Sequence, residues 1–454
     1  MTQGWAGRLI LIGLAWLAIG PGTALGQSAR ERAVDSLFAA WNQSTSPGCA
    51  VGVVQDGRFV YRANYGMANL EAGRPIGART AFYMASVSKQ FAAAAVALAS
   101  LQGKLSLDDD IRRFLPEMPD YGRPITVRHL VHHTSGIRDY LGMLALNRRL
   151  DQANSDEDVL RLIARQRALN FPTGSEYSYS NSGYMLLSLI IERATGSSLR
   201  EYAERELFGP LGMRDTYFYD DHTKPHPAGD RRAIGYQGDE SRGFRSGVLP
   251  NFEQVGDGGL ISTVEDALRW DQNFYDGKVG GGRFLSLIQT PGQLSDGSGI
   301  EYAFGLMVRD YAGLRTVVHS GGFMGYRTII QRFPDQRFSV IILCNEGSAT
   351  PESLAPAIAD LYLIDALDAA QRPLTGEYYS DELDVAWTIA ADRGHLRLLG
   401  PSGPVTLSSE GKDAYRVNSP LGRANLTFTR RNGAVTGFTV ALGPRTTGIT
   451  FVKR

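Results

Sequence analysis

The stretch Tyr83–Val96, "YMASVSKQFAAAAV", sets a serine, two spacers and a lysine directly before an alanine-rich run. The run reads as a helix to about Leu101, stopped by Gly103. Within one helical turn Ser86 and Lys89 share a face. As a structural choice the lysine is awkward. The positive end of the helix dipole favours acids, and a capping box would place Glu or Gln three residues after the serine. As chemistry the pair makes sense. The helix end lowers the lysine pKa toward that of a neutral base and stabilises an oxyanion at the serine. The pattern is short, and Ser409–Lys412 matches it too. That second match is expected in a turn of a β segment, with no helix after it, and reads as chance.

Two further elements stand downstream. "FPTGSEYSYSNSGYMLL" contains Tyr179–Ser180–Asn181, the one Y-x-N of the sequence, in a loop before a helical stretch. A tyrosine there can shuttle a proton, and an asparagine can donate to a substrate carbonyl. The bland alternative is a polar turn and helix cap. "TVVHSGGFMGYRT" carries His319–Ser320–Gly321 at the end of a β-branched strand, where Gly321 and Gly322 allow a substrate backbone to come close. Lys278–Gly280 competes as a K-x-G, but "DGKVGGGR" reads as a surface loop.

Around these motifs, 454 residues at 43% hydrophobic are ample for a large core and two or three domains. Lys+Arg and Asp+Glu both total 47, a balance that points away from nucleic-acid and polybasic membrane binding. Residues 1–26 read as a secretory leader: Arg8, the apolar "LILIGLAWLAIG", then Ala24 and Gly26 at the cleavage site. The run is too short for a membrane span, and no later segment is apolar for long enough. The mature chain is therefore expected to be exported, periplasmic or secreted. Two cysteines, Cys49 and Cys344, leave two readings open: a disulfide, or two buried thiols.

"PGCAVGVVQDGRFVYRANYG" reads as strand, Asp56–Gly57 turn, strand, and strands return in "LRTVVHSGGF", "YRTIIQRF" and "FSVIILCN". Between them, from about 105 to 300, helical periodicity dominates. The expected class is α+β: an antiparallel sheet built from both chain ends, flanked by helices, with an all-α insertion. Residues 27–370 would form this domain. Residues 371–454, with short alternating strands and an Asn432–Gly433 turn, would form a small barrel-like β domain.

Taken together, S-x-x-K, Y-x-N and His-Ser-Gly in this order resemble the serine penicillin-recognising fold: class C β-lactamases, D-alanyl-D-alanine carboxypeptidases, D-aminopeptidases and related esterases. The resemblance covers about residues 30 to 367, and "LVHHTSGIRDY", "YSNSGY", "GGLIST" followed by Trp270, and "HSGGFMGY" agree with it. It implies Ser86 as acylated nucleophile, with Lys89 and Tyr179 sharing acid–base work. Asn181 would bind the substrate amide, and His319, Ser320 and Gly321 would form the third motif. The N–H groups of Ser86 and Gly322 would be the oxyanion hole. The implied reaction is metal-free, cofactor-free acyl transfer on a small-molecule or peptide substrate: a peptidoglycan-like peptide, an amide or an ester. Histidine in place of the family's commoner lysine weakens the grip on a substrate carboxylate and makes it pH-dependent. That favours D-amino-acid peptides, amides or small esters over β-lactams. A β-lactamase and a silent peptidoglycan-peptide binder are the alternatives. The resemblance also sets the first strand beside the last, making Cys49 and Cys344 near neighbours. His132 and His133 read as structural, and His222 and His226 lack a third ligand for zinc. The terminal domain resembles, more loosely, the lipocalin-like modules of D-aminopeptidase-like members.

Overall fold

The computed structural model describes residues 27–239, 241–247, 253–400, 403–419 and 422–454. The expected leader, residues 1–26, lies outside the described residues. Strands β1 (Cys49–Gln55), β2 (Arg58–Tyr65), β3 (Met307–Tyr311), β4 (Leu314–Phe323), β5 (Tyr326–Phe333) and β6 (Phe338–Cys344) form one antiparallel sheet in the order β3-β4-β5-β6-β1-β2. The first strand thus lies beside the last, with Cys49 opposite Cys344 and Gln55 opposite Phe338. The two cysteines are joined in a disulfide, which settles the alternative left open above.

Strand alternation divides the side chains between two cores. Val340, Ile342 and Val51 of β1 face a cluster with Phe38 and Ile358, supplied by helices α1 (Gln27–Leu37, with Phe38 just beyond it) and α5 (Pro351–Tyr362). Ile341 and Leu343 face the main core, built on α2 (Ser88–Leu101), α3 (Asn181–Thr195) and α4 (Val264–Asp276). Because both faces are covered, β6 is buried at every position and is apolar apart from Ser339. A buried pair ties α4 to the sheet: Arg332 Nε donates to Asp271 Oδ1 at 2.7 Å, with both side chains 1% exposed. Ser339 Oγ donates to the same oxygen at 2.7 Å.

The helical middle is not purely α. Phe82–Tyr83, Leu260–Ser262 and Tyr217–Phe218 form a small three-stranded sheet, and Tyr236–Asp239 pairs with Gly243–Ser246. Strands of two to four residues are too short to show a period, so the sequence reads through them.

Beyond α5, eight strands close into an antiparallel barrel: β7 (Gly376–Ser380), β8 (Val385–Asp392), β9 (His395–Gly400), β10 (Gly403–Gly411), β11 (Ala414–Ser419), β12 (Gly422–Arg431), β13 (Ala434–Leu442) and β14 (Thr446–Lys453). Its core holds Tyr378, Leu396, Leu426, Phe438 and Phe451. Closure of β7 onto β14 removes the sheet edges. Ser409 lies on β10 rather than in a turn, and its hydroxyl accepts from the Ala312 N–H at 3.2 Å. The second S-x-x-K serine therefore serves docking between the barrel and the main domain.

Candidate active site

Three neighbours fix the segment before α2. Phe82–Tyr83 pairs with Leu260–Ser262, and the Met84 N–H donates to the Leu260 carbonyl at 2.8 Å. Thr328 Oγ1 on β5 donates to the Met84 carbonyl at 2.8 Å. Ala85 is then held at φ +46°, a left-handed conformation that a non-glycine residue adopts only under constraint. Ser86 follows in a 3-10 turn, Ala85–Val87, that runs into α2. Behind it, Gly321 leaves no room for a side chain. A Cβ there would stand 2.5 Å from the Met84 carbonyl oxygen and 2.8 Å from the Ser86 nitrogen.

Lys89 is fully buried on α2 and has three partners. Its Nζ lies 2.8 Å from Asn181 Oδ1, 2.7 Å from the Asp257 carbonyl oxygen and 3.2 Å from Ser86 Oγ. The first two are obligate acceptors, and together they occupy the two N–H groups of a neutral amine. The lone pair is left for the Ser86 hydroxyl. Burial lowers the Lys89 pKa to about 8, against the raising influence of the Asp257 and Asp139 charges. Desolvation, rather than the helix end expected from sequence, is thus the main cause of a base available near neutrality.

Asn181 opens α3. Its Nδ2 and its backbone N–H both donate to Asp139 Oδ2, at 2.9 and 2.6 Å, which fixes the amide with Oδ1 toward Lys89. Asp139 also caps the helix Tyr140–Leu146 through Oδ1. Asp139 engages one of the two Nδ2 hydrogens, and the second, the donor expected to meet a substrate carbonyl, is not taken by it. Tyr179 stands at the mouth, 38% exposed, its ring centroid 4.8 Å from Lys89 Nζ. Burial raises its pKa and a hydrogen bond with Ser86 opposes the rise. Solvent at the exposed side tempers the shift, and the phenol stays protonated at neutral pH. His133 braces this turn: its Nδ1 accepts from the Ser180 N–H at 3.1 Å, and its ring lies 4.4 Å from that of Tyr179. A residue read as structural is structural in direct support of the site.

His319 is 5% exposed. Its Nδ1 lies 2.6 Å from the Ser320 carbonyl oxygen and so carries the proton, which leaves Nε2 to accept from the Tyr302 hydroxyl at 3.0 Å. Burial, helped by the Lys89 charge, pushes its pKa down to about 3. His319 is therefore neutral at every physiological pH. The partial, pH-dependent charge expected from sequence is absent, because that expectation rested on the pKa of a solvated imidazole. Ser320 alternates with Gly321 and faces the other side of β4. There it lines a second cavity with Gln331 and Ser409, which His319 lines as well.

Ser86, Tyr179, Asn181 and Gly322 share one cavity of about 240 Å³ with Gln254 and Asp257. Among the described residues that line it there is no arginine, lysine or histidine, and Asp257 is the one ionisable carboxyl. Arg327 lies behind Gly322, on the far face of the strand pair. Asp139, Gln254 and Asp257 were not singled out from sequence. They sit in loops with no local motif, although "GIRDY" and "GDGGLIST" contain two of them. Among the described residues, no group of three His, Cys, Asp or Glu is placed to hold a metal. No helix among them is long and apolar enough to cross a membrane.

Comparison with known proteins bears on the family and the fold. The family model described as Beta-lactamase matches residues 32–363. A D-aminopeptidase of Cereibacter sphaeroides (strain ATCC 17023) is 32% identical over 391 residues, covering 85% of this chain and 73% of the relative. Penicillin-binding protein 4* of Bacillus subtilis (strain 168) is 29% identical, covering 76% and 78%. The octameric penicillin-binding protein homologue from Pyrococcus abyssi shares the fold at a TM-score of 0.62 and 23% identity, over 93% of this chain and 99% of that one. The family match, the 32% identical relative and the shared fold lead to one conclusion: the chain belongs to the beta-lactamase family and is a serine hydrolase.

Proposed function

We propose that this protein is an exported hydrolase that forms an acyl-enzyme on Ser86 and acts on D-amino-acid peptides, amides or small esters. The observation that carries the substrate class is the charge of the cavity. His319 is neutral, and no cation among the described residues lines the space in front of Ser86. β-Lactams and the peptides cut by D-alanyl-D-alanine carboxypeptidases present a carboxylate beside the reacting carbonyl, which such a cavity leaves unpaired. The same observation disfavours the β-lactamase alternative. A silent binder of peptidoglycan-like peptides has no need of a desolvated lysine poised on a serine. The D-aminopeptidase activity named for the 32% identical relative fits the proposed class.

Each residue then has a defined part. Neutral Lys89 takes the Ser86 proton as Oγ attacks the carbonyl carbon. The N–H groups of Ser86 and Gly322 hold the oxyanion. Tyr179, protonated and hydrogen-bonded to Ser86, relays the proton to the leaving amine or alkoxide. Water, activated by the same pair, then releases the acyl group. Asp139 holds Asn181, and Asn181 holds Lys89. Export fits the disulfide, which persists in oxidising compartments.

The test is intact-mass analysis after incubation with a fluorophosphonate. One phosphonyl adduct is expected on the wild type and none on Ser86→Ala. Release of p-nitroaniline from D-alanine p-nitroanilide should accompany it, and rapid nitrocefin turnover with no amidase activity would reverse the assignment.

A further inference from the structure

Among the described residues, two buried acceptors on side chains that line the cavity have no donor. Gln254 is 3% exposed and Asp257 is 7% exposed, and both line the cavity in front of Ser86. Gln254 Nε2 donates to the Asn154 carbonyl at 2.8 Å and to Asp156 Oδ1 at 3.2 Å. Both partners are acceptors, so the amide orientation is set and Oε1 is the end left over, without a partner. Asp257 Oδ2 accepts from the Tyr140 hydroxyl at 2.9 Å, and Oδ1 has no partner. The two oxygens exchange by rotation about χ2, a broad two-fold torsion, so either can face the cavity while the other keeps Tyr140.

Leaving two buried acceptors unpaired is costly, and a site that does so is complementary to whatever brings the donors. A group that pairs both oxygens supplies at least two donors, and the Asp257 carboxylate favours one that carries positive charge. A primary ammonium has three donors, no acceptor and the right charge. The surroundings reinforce the sign. Asp139 lies behind Asn181, whereas burial raises the Asp156 carboxyl behind Gln254 to about 7, so it carries about half a charge at neutral pH. The nearby cation, Lys89, is the one that must be neutral for the chemistry. The position fits as well. Lys89 Nζ touches both Ser86 Oγ and the Asp257 carbonyl, so Asp257 stands within one amine of the reacting carbonyl. An α-amino group is two bonds from that carbonyl.

We propose that Gln254 and Asp257 form a subsite for the free α-ammonium of the acyl residue, so that the enzyme takes unblocked amino-acid amides and peptides from their amino end. This rests on the acyl-enzyme reading above and narrows its substrate class. It also gives the loop 253–258 a role in selection beyond offering a carbonyl to Lys89. Burial raises the Asp257 carboxyl to about 6, still low enough for it to be ionised at neutral pH.

The test compares kcat/KM for D-alanine p-nitroanilide with that for N-acetyl-D-alanine p-nitroanilide on the same protein, so that any loss common to both cancels. Wild type should prefer the free amine by about 30-fold or more, the scale of a desolvated charge pair. In Asp257→Asn the ratio should collapse to within about threefold of unity, and Gln254→Leu should reduce it. The preference of the wild type should also fall tenfold per unit above the substrate amine's pKa, about 8 for an α-amino group. A wild type without preference, or an Asp257→Asn enzyme that keeps it, overturns the subsite. If the variant is inactive, protection of wild-type Ser86 from the fluorophosphonate by D-alaninamide and its N-acetyl form decides instead. Equal protection by the two overturns the proposal. Failure of Ser86 to react with the fluorophosphonate at all would instead fell the acyl-enzyme reading, so the two failures are distinguishable.

Discussion

Lys89 makes the sharpest prediction, and pH is the perturbation. An ordinary lysine, at the reference value of 10.5, is neutral in about one molecule in three thousand at pH 7. At about 8 the neutral fraction is about one in ten, a ~300-fold larger pool of base. The base must be neutral to accept the Ser86 proton, so acylation is slow at low pH and rises with pH. The rate should climb tenfold per unit up to about 8 and level off by about 9. Tyr179 stays protonated across this range, and His319, at about 3, is neutral throughout, so neither adds a step. The assay is the pseudo-first-order rate of phosphonylation of Ser86 by an uncharged fluorophosphonate, followed by intact mass from pH 6.5 to 10. Its readout is the single covalent step, independent of substrate ionisation. A profile already flat at pH 6.5 would mean that a group of lower pKa is the base. A rate still rising at pH 10 would mean that Lys89 is not desolvated as its burial implies. Either result refutes the reasoning.

Three further outcomes follow from contacts already described. Asp139→Ala removes a helix cap and frees Asn181, so it should cost about 1–3 kcal/mol in chemical denaturation and lower kcat/KM about 10- to 100-fold; unchanged kinetics would show that Asn181 needs no support. Gly321→Ala places a Cβ against the Met84 carbonyl and the Ser86 nitrogen, and should slow phosphonylation about 100-fold with little change in far-UV circular dichroism. A wild-type labelling rate in that variant would contradict the close packing behind the serine. Thiol titration of unreduced, denatured protein should find no free thiol, and the double variant Cys49→Ser/Cys344→Ser should lose about 2–4 kcal/mol of stability; two titratable thiols would dismiss the bridge.

Much of the fold was legible because its elements carry long periods or sharp punctuation. The hairpin Cys49–Tyr65 announces itself by Asp56–Gly57, and β6 by the largely apolar stretch "FSVIILCN". The alanine-rich α2 could be placed to its last residue, since Gly103 ends it at φ +72°. The two- and three-residue strands around Leu260 were invisible, although they hold Met84 and hence Ser86. Their pairing is long-range and leaves no local period. The site divides in the same way. Ser86, Lys89, Tyr179 and Asn181 are found by spacing because neighbours in sequence must share a turn. Asp139, Gln254 and Asp257 act from loops brought in by tertiary packing, and a lone carboxyl or amide in a loop carries no signal of its own.

From its residues alone the chain offered three local motifs: an S-x-x-K turn at a helix start, a Y-x-N before another helix, and a glycine-ended strand. Covalent spacing and periodicity suffice for each motif, while their meeting in one site was implied by the family resemblance. Only the tertiary structure decided their charges. Burial makes Lys89 a base near neutral pH and keeps His319 uncharged, and it leaves Asp257 and Gln254 with acceptors unpaired. Charge state depends on how much water the fold removes around a group, and that quantity is set by residues far apart in the chain.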